Sequence, residues 1–160
     1  LHTDHAGGLH HFPESEILVS RKEYKLASGI VGKLNGYLPN RWPDWFRPTL
    51  VDYQSHDDDF INAHTLTQSG DVRIVPTPGH TPGHQSVVLQ SDGMTFVFAG
   101  DASYTKENLM KNVIDGVSLD VAVAQETLDR LSAFVTSNNA VYLPSHDPAA
   151  AERIRDVLEG

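Results

Sequence analysis

Imidazole and carboxylate side chains are concentrated at four places in the 160-residue sequence. The stretch His2-Thr3-Asp4-His5 contains three of them, and single ones follow Gly79, Gly100 and Ser145. Their nitrogen and oxygen atoms are ligands that zinc, iron, manganese and cobalt accept. The sequence therefore predicts a site for divalent metal ions. The predicted metal ligands are His2, Asp4, His5, His80, Asp101 and His146.

The last three of these places each follow a predicted β-strand. Val72–Val75 alternates apolar and polar residues ahead of His80. Two further predicted strands, Thr95–Ala99 and Ala140–Leu143, precede the aspartate and the last histidine. Strands that end at one edge of a sheet bring together the residues that follow them, which a shared site requires.

Each place also has an ordinary structural interpretation. A His-X-Asp-His cluster occurs at protein surfaces and helix caps, the prolines and glycines around His80 can form a rigid turn, and Asp101 can cap the segment that follows. Their joint occurrence, in this order and at strand exits, favours the metal site.

The remaining pattern predicts a mixed-sheet α/β layered fold in a single domain over residues 1–160. Further predicted elements are a strand at Glu16–Ser20, a helix from Ser20 to about Val31, a strand at Ser86–Gln90, a helix from Ser118 to about Thr136, and a last helix capped by Asp147 with Pro148 at its first position. The long helix should bury Val121, Ala124, Leu128, Leu131 and Val135, and the last helix Ile154, Val157 and Leu158.

Composition excludes several classes of function. A net charge of −9 disfavours binding to nucleic acids and to anionic membranes, which attract clustered lysine and arginine. The sequence has no cysteine, which excludes disulfides, thiolate ligands and thiol nucleophiles. It shows neither a membrane-spanning apolar run nor a signal segment, so we expect a cytoplasmic location.

The ligand pattern resembles that of the metallo-β-lactamase superfamily. Leu1–His5 is similar to the end of its His-X-His-X-Asp-His signature, and Gly79-His80, Asp101 and His146 match its later ligand motifs. The resemblance implies an αββα four-layer sandwich with the site at one edge of the paired sheets. The first His of the signature would lie just before Leu1, and the first strands of the family precede it. We therefore expect the chain to be a fragment that begins inside this motif.

The resemblance also implies how the ligands are shared between two divalent ions, with Zn²⁺ favoured and iron, cobalt or manganese as alternatives. His2 and His80 would hold one ion, with the absent first His, and Asp101 would bridge to the second. The remaining ligands of the second ion would be Asp4, His5 and His146.

One segment points to a substrate. Gly100–Asn108 resembles the corresponding stretch of N-acyl-homoserine lactone lactonases, the quorum-quenching enzymes, in which a tyrosine three residues after the bridging aspartate faces the substrate carbonyl. Tyr104 has that spacing. Position 2 is His rather than the Glu of the di-iron oxygen-reductase branch, which favours hydrolysis. The expected binding partner is thus a small-molecule lactone substrate, and the chain can also form a homodimer.

The expected mechanism is ring opening by a hydroxide that two metal ions activate. Tyr104 would stabilise the negative charge that develops on the lactone carbonyl, and Asp4 would shuttle the proton. The alternatives are a glyoxalase II-like thioesterase, which shares much of the Thr77–Ser86 motif, and a β-lactamase-like amidase. From a different class, the chain can be an inactive metal-binding module or fragment.

The aromatic segment between Asn35 and Pro48 has two interpretations. Tyr37, Trp42, Trp45 and Phe46 can form a wall for an acyl chain, or the loop can cap the core or contact a second subunit. His84 is expected to support the site or the fold. We expect a surface position or local bonding for His10, His11, His56 and His64, and a solvated loop for Asp57–Asp59.

Overall fold

A computed structural model describes residues 1–53 and 63–159 and divides the chain into two compact units, Leu1–Asp52 and Tyr53–Gly160. Each unit has its own β-sheet. The single domain over residues 1–160 remains a prediction. His56 and the Asp57–Asp59 run lie outside the described residues. Within the described part of the chain, no helix combines the length and apolarity that crossing a membrane requires.

The N-terminal unit contains two short parallel strands, three α-helices and two 3-10 turns. Its elements are α1 (Thr3–Ala6), β1 (Leu18–Ser20), α2 (Arg21–Ser28), α3 (Ile30–Leu34) and β2 (Thr49–Val51). The predicted strand before Ser20 is confirmed, although it is shorter than expected. The helix predicted to continue to Val31 is interrupted at Gly29, whose backbone is extended with φ −84° and ψ 170°. This extended residue separates α2 from α3, and glycine suits the position because an added Cβ would lie 3.2 Å from Lys25 O.

The C-terminal unit contains a five-stranded sheet in the order β3-β4-β5-β6-β7. The strands are β3 (His64–Thr65), β4 (Val72–Pro76), β5 (Gln85–Ser91), β6 (Met94–Gly100) and β7 (Val141–Pro144). Strands β3 to β6 pair antiparallel, and β7 pairs parallel with β6. Two antiparallel steps separate β4 from β6, so β4, β6 and β7 run in one direction and end at the same edge of the sheet.

Three helices accompany this sheet: α4 (Lys106–Met110), α5 (Val121–Ser137) and α6 (Ala150–Glu159). The core of the unit combines valines of β4, β5 and β6 with Leu128 and Leu131 of α5 and Tyr142 of β7. The predicted buried face of α5 is confirmed except for Val121, which is 63% exposed. Val121 is exposed because it is the first residue of the helix. The Asp120 side chain caps this end by accepting a 3.1 Å hydrogen bond from Val123 N.

The last helix begins later than predicted. Asp147 Oδ1 accepts a 3.0 Å hydrogen bond from Ala149 N, so this side chain closes a turn before the helix, which starts at Ala150. Pro148 lies in that turn. Leu158, expected to face inward, is 74% exposed and is therefore a wrong prediction, whereas Ile154 and Val157 are partly buried.

Candidate metal centre

The three C-terminal candidate ligands follow the three strands that end at one edge of the sheet. Asp101 comes directly after β6, His146 two residues after β7, and His80 four residues after β4. The strand that precedes each of them was predicted from the sequence and is present. Asp101 lies 21 positions after His80 and 45 positions before His146. The sheet topology therefore explains why these three residues approach one another.

Asp101 lies between two imidazoles. Its Oδ2 is 3.5 Å from His80 Nε2, and its Oδ1 is 3.3 Å from His146 Nε2. The side chains of Asp101 and His80 are each 5% exposed, and that of His146 is 40% exposed. Because each carboxylate oxygen faces a different histidine, this residue has the arrangement expected of a ligand shared by two ions.

These distances fit metal ligands better than hydrogen bonds. Hydrogen bonds from nitrogen to oxygen are typically about 2.9 Å long. Two ligand atoms at about 2.1 Å from a tetrahedral ion lie about 3.4 Å from each other. The two separations around Asp101 bracket that value. The nitrogen and oxygen donors of this unit therefore fit divalent metal ions in both chemistry and spacing.

His84 holds the backbone of Asp101. Its Nε2 accepts a 3.0 Å hydrogen bond from Asp101 N, so the proton of the neutral ring is on Nδ1, which lies 3.0 Å from Thr77 O. Gly100 makes this approach possible, since a Cβ at that position would lie 2.8 Å from His84 Nε2. The expectation that His84 supports the site or the fold agrees with this geometry.

A buried hydroxyl chain continues from His84 into the sheet. Thr77 Oγ1 is 2.8 Å from His84 Nδ1 and 2.8 Å from Ser86 Oγ, which donates to Ala99 O at 3.1 Å. These groups belong to the exit of β4, to β5 and to β6. This series of hydrogen bonds therefore fixes the segment before His80 against the strand that leads to Asp101.

Tyr104 lies beside both histidines of this unit that are candidate metal ligands. Its ring centroid is 4.8 Å from that of His146 and 6.2 Å from that of His80, and the residue is partly exposed. The preceding residue, Ser103, is buried and shares a 2.8 Å hydrogen bond with Tyr142 OH. Burial raises the pKa of Tyr142 to about 12, so its phenol stays neutral and anchors this loop.

Asp147 anchors the segment that carries His146. Its Oδ2 accepts hydrogen bonds from Lys106 N at 2.9 Å and from Arg153 Nη2 at 2.7 Å. Burial acts to raise the pKa of this carboxyl group, but the hydrogen bonds from Lys106, Arg153 and Ala149 outweigh it, and the pKa is lowered. The exit of β7 is thus tied to both α4 and α6.

The N-terminal candidates lie on or beside α1. His2 occupies the N-cap position, and its ring centroid is 4.4 Å from that of Tyr37. His5 Nε2 is 3.5 Å from Asp4 Oδ2, again the separation of two ligands of one ion. Thr3 Oγ1 donates to Gly36 O at 3.0 Å and ties the helix to the following loop. A helical turn therefore organises this cluster, which the sequence pattern did not predict.

The aromatic segment divides into buried and partly exposed residues. Tyr37 and Phe46 are 0% and 3% exposed, and Tyr37 OH donates to Glu23 Oε1 at 2.9 Å. Their burial in the N-terminal unit favours the core-capping interpretation of these two residues, and their contact with an acyl chain remains a prediction. Trp42 and Trp45 are partly exposed, and their role in binding remains a prediction.

The remaining described histidines lie at the surface, and one further carboxylate lies beside His80. His10, His11 and His64 are exposed, as expected. Asp115, which sequence analysis did not single out, has its Oδ2 3.7 Å from His80 Nδ1. Its only local signal is the Asp-Gly pair that it forms with Gly116, and such a pair indicates a turn rather than a site.

Comparison with known families identifies the class of protein. The model of the metallo-β-lactamase superfamily matches residues 1–146, and the chain therefore belongs to this superfamily. The fold inferred from the ligand motifs is confirmed by this match and by solved structures. Divalent metal ions are the cofactors that the superfamily implies, and the relatives within it that this chain matches are hydrolases.

The more specific similarities are to lactonases. An N-acyl homoserine lactonase of a Bacillus species is 32% identical over 149 residues, which cover 92% of this chain and 53% of that protein. A structure of a B. thuringiensis AiiA variant, with N-decanoyl-L-homoserine bound at the active site, has a TM-score of 0.75 and 27% identity, covering 95% of this chain and 55% of that one. A second structure with the same TM-score, identity and coverage has the product N-hexanoyl-L-homoserine bound at the catalytic metal centre of an N-acyl homoserine lactone hydrolase. This chain spans about half the length of these relatives.

Proposed function

We propose that this chain contributes the dinuclear metal centre of a hydrolase that opens the lactone ring of N-acyl-homoserine lactones. The observation that carries the proposal is the position of Asp101 between His80 and His146, with the Tyr104 ring beside both imidazoles. The relatives named N-acyl homoserine lactonases support the choice of substrate. Because the chain spans about half their length, the activity is proposed for the whole protein to which these residues belong.

The proposed distribution of ligands follows the motif of the superfamily. His2 and His80 serve one ion, whereas Asp4, His5 and His146 serve the other, and Asp101 serves both. The donor set of imidazoles and carboxylates suits Zn²⁺, with iron, cobalt and manganese as alternatives. When bound, the ions supply a hydroxide near neutral pH and polarise the lactone carbonyl.

The side chains of this protein then have defined roles in hydrolysis. The Tyr104 hydroxyl donates a hydrogen bond to the lactone carbonyl oxygen as negative charge develops on it. Water adds to the carbonyl carbon, and the bond from that carbon to the ring oxygen breaks. Asp4, whose side chain is 58% exposed, accepts the proton of the water and returns it to the leaving alkoxide. The product is the open-chain N-acyl homoserine.

Replacement of Tyr104 by Phe tests the role of the hydroxyl. We expect turnover of an N-acyl-homoserine lactone to fall by roughly 10–1,000-fold, the typical cost of losing one oxyanion donor. Steady-state kinetics measure the change. Tyr53→Phe is the matched control, because it removes the 3.1 Å hydrogen bond from Tyr53 OH to Gln85 Oε1 in the same unit. Unchanged turnover in Tyr104→Phe would show that the hydroxyl has no part in the reaction.

A substrate panel distinguishes the proposed lactonase from its rivals. The panel contains N-acyl-homoserine lactones, a glutathione thioester and a chromogenic β-lactam. Preference for the thioester would identify a glyoxalase II-like enzyme, and preference for the β-lactam an amidase. Metal content separates these enzymes from an inactive module, since the dinuclear centre requires about two ions per chain.

The acyl chain has a candidate binding surface in the N-terminal unit. Trp42 lines a cavity of about 290 Å³ together with Leu38, Arg41, Thr3 and Ala6. We expect Trp42→Ala to reduce the preference for long over short acyl chains by about 10-fold or more, because the ring supplies apolar contact area. The ratio of kcat/KM for decanoyl and butanoyl substrates measures this preference, and circular dichroism confirms folding. An unchanged ratio in a folded variant would exclude Trp42 from the acyl site.

A further inference from the structure

The imidazole of His80 lies between two buried carboxylates. Its Nε2 faces Asp101, and its Nδ1 is 3.7 Å from Asp115 Oδ2. The side chains of His80 and Asp115 are 5% and 4% exposed. One ring nitrogen is thus directed toward the proposed metal ligands, and the other toward a carboxylate from a different part of the chain.

The loop that carries Asp115 is fixed to the backbone of His80. Leu119 N donates to His80 O at 3.2 Å, and Asp120 N donates to Gly79 O at 3.1 Å. Further along α5, Thr127 Oγ1 donates to Pro78 O at 2.6 Å. Three hydrogen bonds therefore hold the segment before and within α5 against residues 78–80, so the proximity of Asp115 to His80 is built into the fold.

Local hydrogen bonds also fix the orientation of the Asp115 carboxylate. Its Oδ1 accepts from Val117 N at 2.9 Å and from Ser118 Oγ at 3.2 Å. These bonds leave Oδ2 directed at His80. A carboxylate accepts on both oxygens, whereas an amide accepts on one atom and donates on the other. The single oxygen of asparagine can therefore accept the hydrogen bonds of the turn or face the imidazole as an acceptor, but it cannot do both.

We propose that Asp115 is a positioning residue for His80. It favours the tautomer with the proton on Nδ1, so that Nε2 presents its lone pair to the ion that His80 is proposed to hold; the inference thus rests on the proposed metal centre. Histidine ligands commonly donate their second ring proton to a carboxylate, and loss of such a partner typically weakens metal binding by about 10–100-fold. A cation on Nε2 makes the Nδ1 proton a stronger donor, which strengthens the attraction to Asp115.

The test compares Asp115→Asn with Asp129→Asn. Asp129 is an exposed carboxylate of α5 that accepts from Asn112 Nδ2 at 2.7 Å, and it serves as the control. Zn²⁺ affinity is measured by competition with a chelator, and the ring nitrogens of His80 are observed by ¹⁵N NMR in the chain as purified. We expect Asp115→Asn to weaken the binding of one Zn²⁺ ion by about 10–100-fold and to reduce the population of the Nδ1-protonated tautomer of His80. We expect neither change in the control.

A purely structural role for Asp115 predicts a different result. Ser118→Ala removes one bond of the turn without changing the carboxylate, so a turn role alone would give similar losses of stability in Ser118→Ala and Asp115→Asn, with the tautomer unchanged. That result, together with wild-type Zn²⁺ affinity, would overturn the proposal and leave the lactonase function intact. If the wild-type chain binds no Zn²⁺, the proposed metal centre fails, while the NMR comparison still decides whether Asp115 sets the tautomer of His80.

Discussion

Replacing Asp101 by Asn is expected to lower lactone hydrolysis by about 1,000-fold or more and to reduce bound metal from about two ions per chain to at most about one. The two carboxylate oxygens of Asp101 face two different imidazoles, at 3.5 Å from His80 Nε2 and 3.3 Å from His146 Nε2. An amide retains the shape of the side chain but has no negative charge to share between two cations. Several kcal/mol of transition-state stabilisation depend on the metal ions, and each 1.36 kcal/mol corresponds to a factor of about ten in rate.

The same substitution should leave the fold intact. The backbone N–H of residue 101 still donates to His84 Nε2. The buried side chain becomes neutral, which removes the desolvation cost of burying a carboxylate. Asp92→Asn is the control, since Asp92 lies in an exposed turn with a φ of 50° that asparagine tolerates. Metal analysis, steady-state kinetics and urea unfolding are measured on both variants. A variant at position 101 that keeps both ions and full activity would refute the proposed bridging role of Asp101.

The parts of the fold that could be predicted are those that depend on local pattern. Val72–Val75 and Thr95–Ala99 alternate or concentrate apolar residues, and both are strands. Because His80 and Asp101 follow these strands, their approach could also be anticipated. The ends of the helices were less predictable: α6 starts at Ala150 because Asp147 uses its side chain to close a turn, and the same Asp-Pro pair is equally compatible with a helix N-terminus.

The parts that could not be predicted depend on tertiary contacts. Asp115 lies 35 residues after His80, and no periodicity relates them; the two are brought together by hydrogen bonds from Leu119 and Asp120 to residues 79–80. Likewise, Tyr37 is buried with its hydroxyl donating to Glu23, a contact that sequence spacing does not indicate. Residue types therefore predicted the candidate metal ligands and a supporting role for His84, whereas the position of Asp115 beside His80 was visible only in the structure.

Gly79→Ala is expected to destabilise the C-terminal unit by about 4 kcal/mol, a large fraction of the stability of a typical domain. Gly79 has a φ of 138°, a backbone conformation that is almost restricted to glycine. A Cβ at this position would also lie 2.4 Å from Ala124 Cα and 2.6 Å from Ala124 Cβ. Because both atoms belong to α5, relief of the clash requires the helix or the His80 loop to move.

Gly70→Ala is the comparison for a positive-φ glycine that has no neighbouring atoms to clash with. Gly70 has a φ of 76° in the same unit, but an added Cβ would have no atom of the described structure within 4 Å. Its substitution should therefore cost only the strain of a left-handed backbone, about 1–2 kcal/mol. Urea unfolding of both variants measures the difference. Equal losses would mean that α5 does not pack closely on residue 79. We expect a larger loss at Gly79, with weaker metal binding, because its φ is more restricted and because the Gly79-His80 pair packs closely against α5.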